Sequence, residues 1–138
     1  MLDICHEMPG RGGGADEPLP GVLLLDRGHG DVAVVTLFGE HDLRTRDAIR
    51  RTLFGIVEEG ALPVLDLSAA DYIDSCVLNA AVDTDGLLHR RGARLVLLLG
   101  TAAIVDRALV VSGLSEALPC AREQEAAVAL ARSLARGH

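Results

Sequence analysis

The sequence predicts an α/β domain in which a mixed β-sheet of four to five strands packs against amphipathic helices. Three observations carry that expectation. Short aliphatic runs, such as those at 62–67 and 94–99, alternate with segments of helical apolar spacing, as parallel strands joined by crossover helices require. The chain begins differently, with two β-type runs around Gly28-His29-Gly30-Asp31, a hairpin signal that adds an antiparallel pair. Hydrophobic residues make up 49% of the 138, enough for one core in one domain.

The elements follow in order. Residues 1–20 contain Pro9-Gly10-Arg11-Gly12-Gly13-Gly14, Pro18 and Pro20, and read as a flexible N-terminal extension ahead of a domain at 21–136. Residues 22–25 and 32–38 form the hairpin. Residues 43–59 are helical, with Ile49, Leu53, Ile56 and Val57 on one face and Gly60 as the stop. A strand at 62–67 leads to a helix at 75–91 with Leu78, Ala81, Val82 and Leu88 inward and Gly92 as the stop. Gly86 inside that helix costs about 1 kcal/mol relative to Ala. A buried strand at 94–99, a helix at 102–111 closed by Gly113, and a short edge strand within 114–119 come next. The final helix, 123–135, turns Ala127, Leu130 and Leu134 inward; Glu123 and Glu125 near its start and Arg132 and Arg136 near its end suit the helix dipole. The order is β-β-α-β-α-β-α-(β)-α, with no internal repeat.

Composition excludes several function classes. The net charge is −7 and the pI about 5.1, a field that repels phosphate backbones and anionic membranes. Aromatics are 2%, too few to stack bases. Neither nucleic acid nor membrane is therefore expected as a direct partner. All thirteen basic residues are Arg; with the many Ala and Gly codons this points to a GC-rich bacterial genome. Cys5, Cys76 and Cys120 show no CxxC spacing, which argues against a disulfide framework or zinc site and fits a reducing cytosol. No apolar run reaches about 18 residues, and no basic-then-apolar leader is visible, so the expected location is cytoplasmic. His6, His29, His41, His89 and His138 have no ligand spacing, and no cofactor is expected. Asp83-Thr84-Asp85-Gly86 resembles part of a calcium loop but lacks the later ligands; it reads as a solvated helix face or a rim for a basic partner.

The chemistry concentrates in Asp71-Tyr72-Ile73-Asp74-Ser75-Cys76-Val77-Leu78, where a strand hands over to a helix. A helix start leaves N–H groups free and carries positive partial charge. Asp74 is placed to cap that helix, and Ser75 is its first residue. Three readings stay open for the pair: capping alone, a phosphate-carrying Ser75, or a nucleophile at Ser75. The last lacks the glycines of a nucleophile elbow, and its only candidate bases in sequence order, His41 and His89, carry no motif. Cys76 is either a thiol activated by the helix start or a small inert residue facing the sheet. Gly39-Glu40-His41-Asp42 ends just before the first helix, with Asp42 a candidate cap. Because sites in open α/β sheets lie at strand ends, Asp42 is expected near Asp74 and Ser75.

In this order and spacing the motifs resemble those of the STAS family, and most of all its small bacterial anti-anti-sigma factors. The likeness rests on Gly39-Glu40-His41-Asp42 with Thr45, Val64-Leu65-Asp66-Leu67-Ser68, Ile73-Asp74-Ser75, Gly92-Ala93-Arg94-Leu95-Val96-Leu97 and Leu109-Val110-Val111-Ser112-Gly113-Leu114. It covers about residues 21–136. The resemblance implies a non-enzymatic switch. The unmodified protein binds an anti-sigma factor that is itself an ATP-dependent serine kinase, and so frees a sigma factor. Phosphorylation releases the complex, and a metal-dependent serine phosphatase resets it. Carried onto this chain, Ser75 is the phosphoacceptor, with Asp42, Thr45, Asp74, Cys76 and Val77 as its neighbours in the partner-binding site. Val77 stands where the family pattern has Gly. It motivates a second reading, a constitutive STAS interaction module in a larger signalling or transport assembly. A small hydrolase using Ser75 or Cys76 is the third.

Overall fold

The computed structural model describes residues 2–4, 23–40, 43–73 and 75–135. Its strands are β1 (Leu2–Ile4), β2 (Leu23–His29), β3 (Val32–Leu37), β4 (Gly39–Glu40), β5 (Leu62–Asp66), β6 (Ala70–Tyr72), β7 (Val96–Leu98) and β8 (Cys120–Ala121). The helices are α1 (Leu43–Glu58), α2 (Ser75–His89), α3 (Ala103–Ser112), α4 (Leu114–Ala117) and α5 (Gln124–Leu134). Six strands form one mixed sheet in the order β1-β2-β3-β5-β7-β8, and β4 and β6 pair separately. The α/β class and the mixed sheet are as the sequence predicts.

The β2–β3 hairpin is antiparallel, whereas β3, β5, β7 and β8 run parallel. Every residue of β5 is buried, as expected of a central strand covered on both faces. The crossovers β3-α1-β5, β5-α2-β7 and β7-α3-α4-β8 all step the same way along the sheet. Right-handed connections therefore put α1, α2 and α3 on one face. On the other, α5 packs against β3, β5, β7 and β8. Between the layers, Ile49, Leu53, Ile56 and Val57 of α1 are buried as their spacing predicts, together with Val64, Leu65, Leu95 and Leu97 of the sheet segments.

Four expectations are corrected. Residues 2–4 of the supposed extension form an edge strand paired with β2. The segment after Gly113 is the short helix α4, and the edge strand falls later, at Cys120–Ala121. Gly113 adopts a left-handed conformation (φ +83°) that caps α3, and the next residue turns straight into another helical turn because Leu114 has core to fill. On α2 the inward face is Val77, Ala80, Ala81, Thr84 and Leu88, and Val82 is exposed. The apolar residues of α2 run almost all round it, so periodicity alone could not orient it. Finally, Asp85 is structural and not part of a solvated rim. Its carboxylate accepts from Arg94 Nε at 2.9 Å and Nη2 at 3.1 Å, and from the Leu95 amide at 2.9 Å. The guanidinium also reaches the Ala117 carbonyl at 2.9 Å, tying α2 to the entry of β7 and to α4. The hydrogen bonds to Asp85 push the Arg94 pKa up.

Gly86 lies on the exposed side of α2, and a Cβ there would meet nothing within 4 Å. Gly86→Ala is therefore expected to stabilise the fold by about 1 kcal/mol through helix propensity and a less free unfolded chain. Urea unfolding checks this as a higher midpoint at unchanged slope.

Candidate functional site

The site is the end of the sheet where β3 and β5 finish and α2 begins. Past the end of β3, β4 pairs in parallel with β6, matching Gly39 with Ala70 and Glu40 with Tyr72. The backbone segments leading to residue 42 and to residue 75 thus run side by side. Asp42 and Asp74 lie outside the described residues, as do the side chain of Thr45 and the expected caps.

Ser75 is the first residue of α2 and is exposed. Ile73 before it and Val77 after it are both buried. These two anchors pin the helix start to the core and leave the Ser75 side chain on the surface. Cys76 is half-buried. Val77 is 0% exposed, so its side chain is a core contact. A side chain at this position fills space between α2 and the sheet.

Beneath the loops lies a residue to which sequence reasoning assigned no role. Asp66, the last residue of β5, is 7% exposed. Its Oδ2 accepts from the Thr36 hydroxyl at 3.1 Å, and its Oδ1 accepts from the Ser68 amide at 2.9 Å and the Ser68 hydroxyl at 2.6 Å. A buried carboxylate needs such donors, because desolvation otherwise penalises its charge. The signal was present: Asp66 is the one acid in the apolar run 62–67. Opposite it, Gly100 approaches so closely that a Cβ would sit 2.6 Å from the Ser68 Cβ. Arg122 then clamps the Gly100 carbonyl at 2.8 Å and the Asp106 carboxylate at 3.1 and 3.2 Å. The carboxyl ends of β3, β5 and β7 and the start of α3 are therefore held in one rigid floor. Phe38, at the end of β3, is exposed at this end of the sheet.

Of the two candidate bases for a nucleophilic Ser75, the structure places one. His89 is the last residue of the helix that Ser75 begins, about 21 Å away along its axis, so it cannot act as the base for Ser75. His41 lies outside the described residues. Burial pushes the Cys120 thiol up, which lowers its thiolate fraction. Among the described residues no group of three or more His, Cys, Asp or Glu could hold a metal ion. A shallow recess of about 200 Å³ is lined by His29, Gln124, Glu125, Val128, Ala129 and Arg132 and does not include Ser75. No helix among the described residues is long and apolar enough to cross a membrane.

The family model of the STAS domain matches residues 25–127. The chain belongs to the STAS domain family. Solved structures agree on the fold of this STAS domain. An anti-sigma factor antagonist from Mycobacterium paratuberculosis superposes with a TM-score of 0.70 at 21% identity, covering 85% of this chain and 98% of the other. The anti-sigma factor antagonist SpoIIAA in its unphosphorylated form gives 0.68 at 22%, covering 83% and 99%. The Bacillus cell fate determinant SpoIIAA in the phosphorylated form gives 0.60 at 23%, covering 75% and 95%. No curated protein matches the sequence.

Proposed function

We propose that this STAS domain is an anti-sigma factor antagonist switched by phosphorylation of Ser75. The observation that carries the reading is the exposed serine at the first turn of a 15-residue helix, anchored on both sides by buried Ile73 and Val77. A phosphate there gains from free amides and the helix dipole, so the fold tolerates it. It adds about −1.5 to −2 charge to a surface whose chain already carries −7. The modification then acts on binding, through charge and bulk at the contact surface, and not by unfolding.

The partner in this reading is an anti-sigma factor with ATP-dependent serine kinase activity, opposed by a metal-dependent serine phosphatase, in the cytoplasm. The domain itself catalyses nothing. In this reading Asp42, Thr45, Asp74, Cys76 and Val77 are the neighbours of Ser75 in the partner-binding site. Similarity to antagonists whose phosphorylated and unphosphorylated forms have both been solved supports the same direction. The alternative, a constitutive STAS interaction module, is motivated by Val77 in place of the family's Gly; a pull-down that retains the same partner whatever the state of Ser75 would favour it.

The test mixes the protein with its cognate kinase and ATP, maps the phosphate by mass spectrometry, and measures kinase binding of Ser75→Ala and Ser75→Glu. Phosphate on Ser75 is expected, with Ser75→Ala binding like the unmodified protein and Ser75→Glu at least about tenfold weaker, a difference of about 1.4 kcal/mol. Phosphate at another residue, or equal binding of the two variants, would sink the switch.

A further inference from the structure

We propose that the outer face of α3 is a docking surface for an acidic amphipathic helix of a partner protein. Six residues of α3 are exposed: Ala103, Ile104, Arg107, Val110, Val111 and Ser112. Ile104 is 50% exposed, Val110 66% and Val111 82%. Among the described residues, three of the five exposed large apolar side chains are on this ten-residue helix. The outer faces of α1 and α5 differ, exposing Asp47, Arg51 and Glu58 on one and Glu125, Arg132 and Ser133 on the other.

The pattern on α3 is ordered. At about 100° per residue, Ile104, Arg107, Val110 and Val111 fall within an arc of roughly 120°. That arc lies opposite Val105 and Leu109, which are both fully buried. The helix is therefore apolar on both sides, which is unexpected for a face that meets only water. Arg107 sits in the middle of the outer patch and makes no hydrogen bond or ion pair with any described residue. The only acid of α3, Asp106, is half-buried and paired with Arg122 at 3.1 Å. In a chain of net charge −7, this face carries one unopposed cation and no exposed anion.

The occupant follows from these features. Apolar positions at 104 and 111 are spaced i and i+7, with 107 and 110 between them, which suits a second helix lying along α3. The lone guanidinium asks for a carboxylate between that helix's apolar anchors. Because α3 is the last of the helices α1, α2 and α3 laid across one sheet face, such a helix would extend the layer sideways. The face begins at Ile104, near the end of the sheet where Ser75 lies, because α3 packs against β6. It continues to Val111, about 10 Å further along the axis, a distance at which salt largely screens a charge at the surface. A phosphate on Ser75 therefore weakens the complex at the Ser75 surface, while the contact at the far end of α3 is left as it was. The proposal rests on the antagonist reading for who the partner is, and not for the chemistry of the contact.

The test titrates the isotopically labelled full chain with two synthetic 16-residue amphipathic peptides. Both have Leu at i, i+3, i+4 and i+7; one has Glu and the other Lys between the leucines. The Glu peptide is expected to shift the amide resonances of 103–112. Arg107→Glu weakens it by about tenfold and strengthens the Lys peptide, as reversal of one interfacial charge predicts. Val111→Ser weakens both peptides, and Ser75→Glu changes neither. The proposal is overturned if the shifts lie elsewhere, if the Lys peptide binds unmodified α3 as well as the Glu peptide, or if Ser75→Glu abolishes binding. It is overturned as well if sedimentation finds a dimer that Val111→Asp dissociates, since a second copy would then cover the face.

Discussion

Gly100→Ala is expected to lower the unfolding free energy by about 3 kcal/mol, which is a fall in Tm of roughly 10 °C for a domain of this size. Two effects add. The backbone at Gly100 has φ +63°, a left-handed conformation that costs an alanine about 1 kcal/mol. The new Cβ would also lie 2.6 Å from the Ser68 Cβ and 3.4 Å from its Cα, so a loop must move, and overpacking of this kind costs a further 1–3 kcal/mol or about that. The loop cannot yield freely, because Leu67 N–H bonds the Leu98 carbonyl at 2.8 Å and Arg122 holds the Gly100 carbonyl at 2.8 Å. Gly113→Ala is the control. Gly113 has φ +83° but open space around it, so only the backbone cost of about 1 kcal/mol is expected. Equal losses in the two variants by urea unfolding would mean that the contact with Ser68 carries no energy.

Asp66→Ala is expected to cost about 3 kcal/mol. It removes the acceptor of three hydrogen bonds at once, those from the Thr36 hydroxyl, the Ser68 amide and the Ser68 hydroxyl. Hydrogen bonds to a charged group are worth about 1.5–3 kcal/mol each, but Ser68 is exposed and water recovers part of its share. Thr36 is half-buried and recovers less. Asp66→Asn keeps an oxygen for Ser68, and the Thr36 hydroxyl can rotate to accept from the amide, so a loss of about 1 kcal/mol is expected. Thermal unfolding and hydrogen exchange at the Ser68 amide check both. Faster exchange at Ser68 in Asp66→Ala, with core amides protected as before, places the loss at the floor of the site. An Asp66→Ala protein as stable as the parent would mean that the cluster is incidental.

The family, the α/β order and the position of Ser75 at a helix start were all legible in the sequence. They depend on local rules: glycine stops, aliphatic runs of strand length, and a polar cluster between a strand and a helix. The inner face of α1 was legible for the same reason, because Ile49, Leu53, Ile56 and Val57 leave its other side polar. On α2 that contrast is missing. Whether Val77 or Val82 faces inward is decided by the sheet it lies on, and the answer puts Val77 in the core and Val82 outside. Asp66 and Gly100 were visible as letters, but that Asp66 would meet Thr36 and Gly100 would meet Ser68 was not, since those residues are far apart in sequence and meet only when β3, β5 and β7 stand side by side. Asp85 and Arg94 are closer in sequence but meet only because the chain turns back between α2 and β7, and residues 2–4 find β2 only across the sheet.

By itself, then, the sequence determined that this chain is a STAS domain and that a serine begins its second helix, because helix starts and strand runs are set by neighbours along the chain. Tertiary structure alone decided which side of α2 is buried, which carboxylate supports the loops, and that α3 turns Ile104, Val110 and Val111 to solvent around Arg107. Those are questions of what packs against what. Burial on one face of a helix is fixed by elements distant in sequence, and no periodicity within ten residues of α3 distinguishes an apolar side that fills a core from one left open.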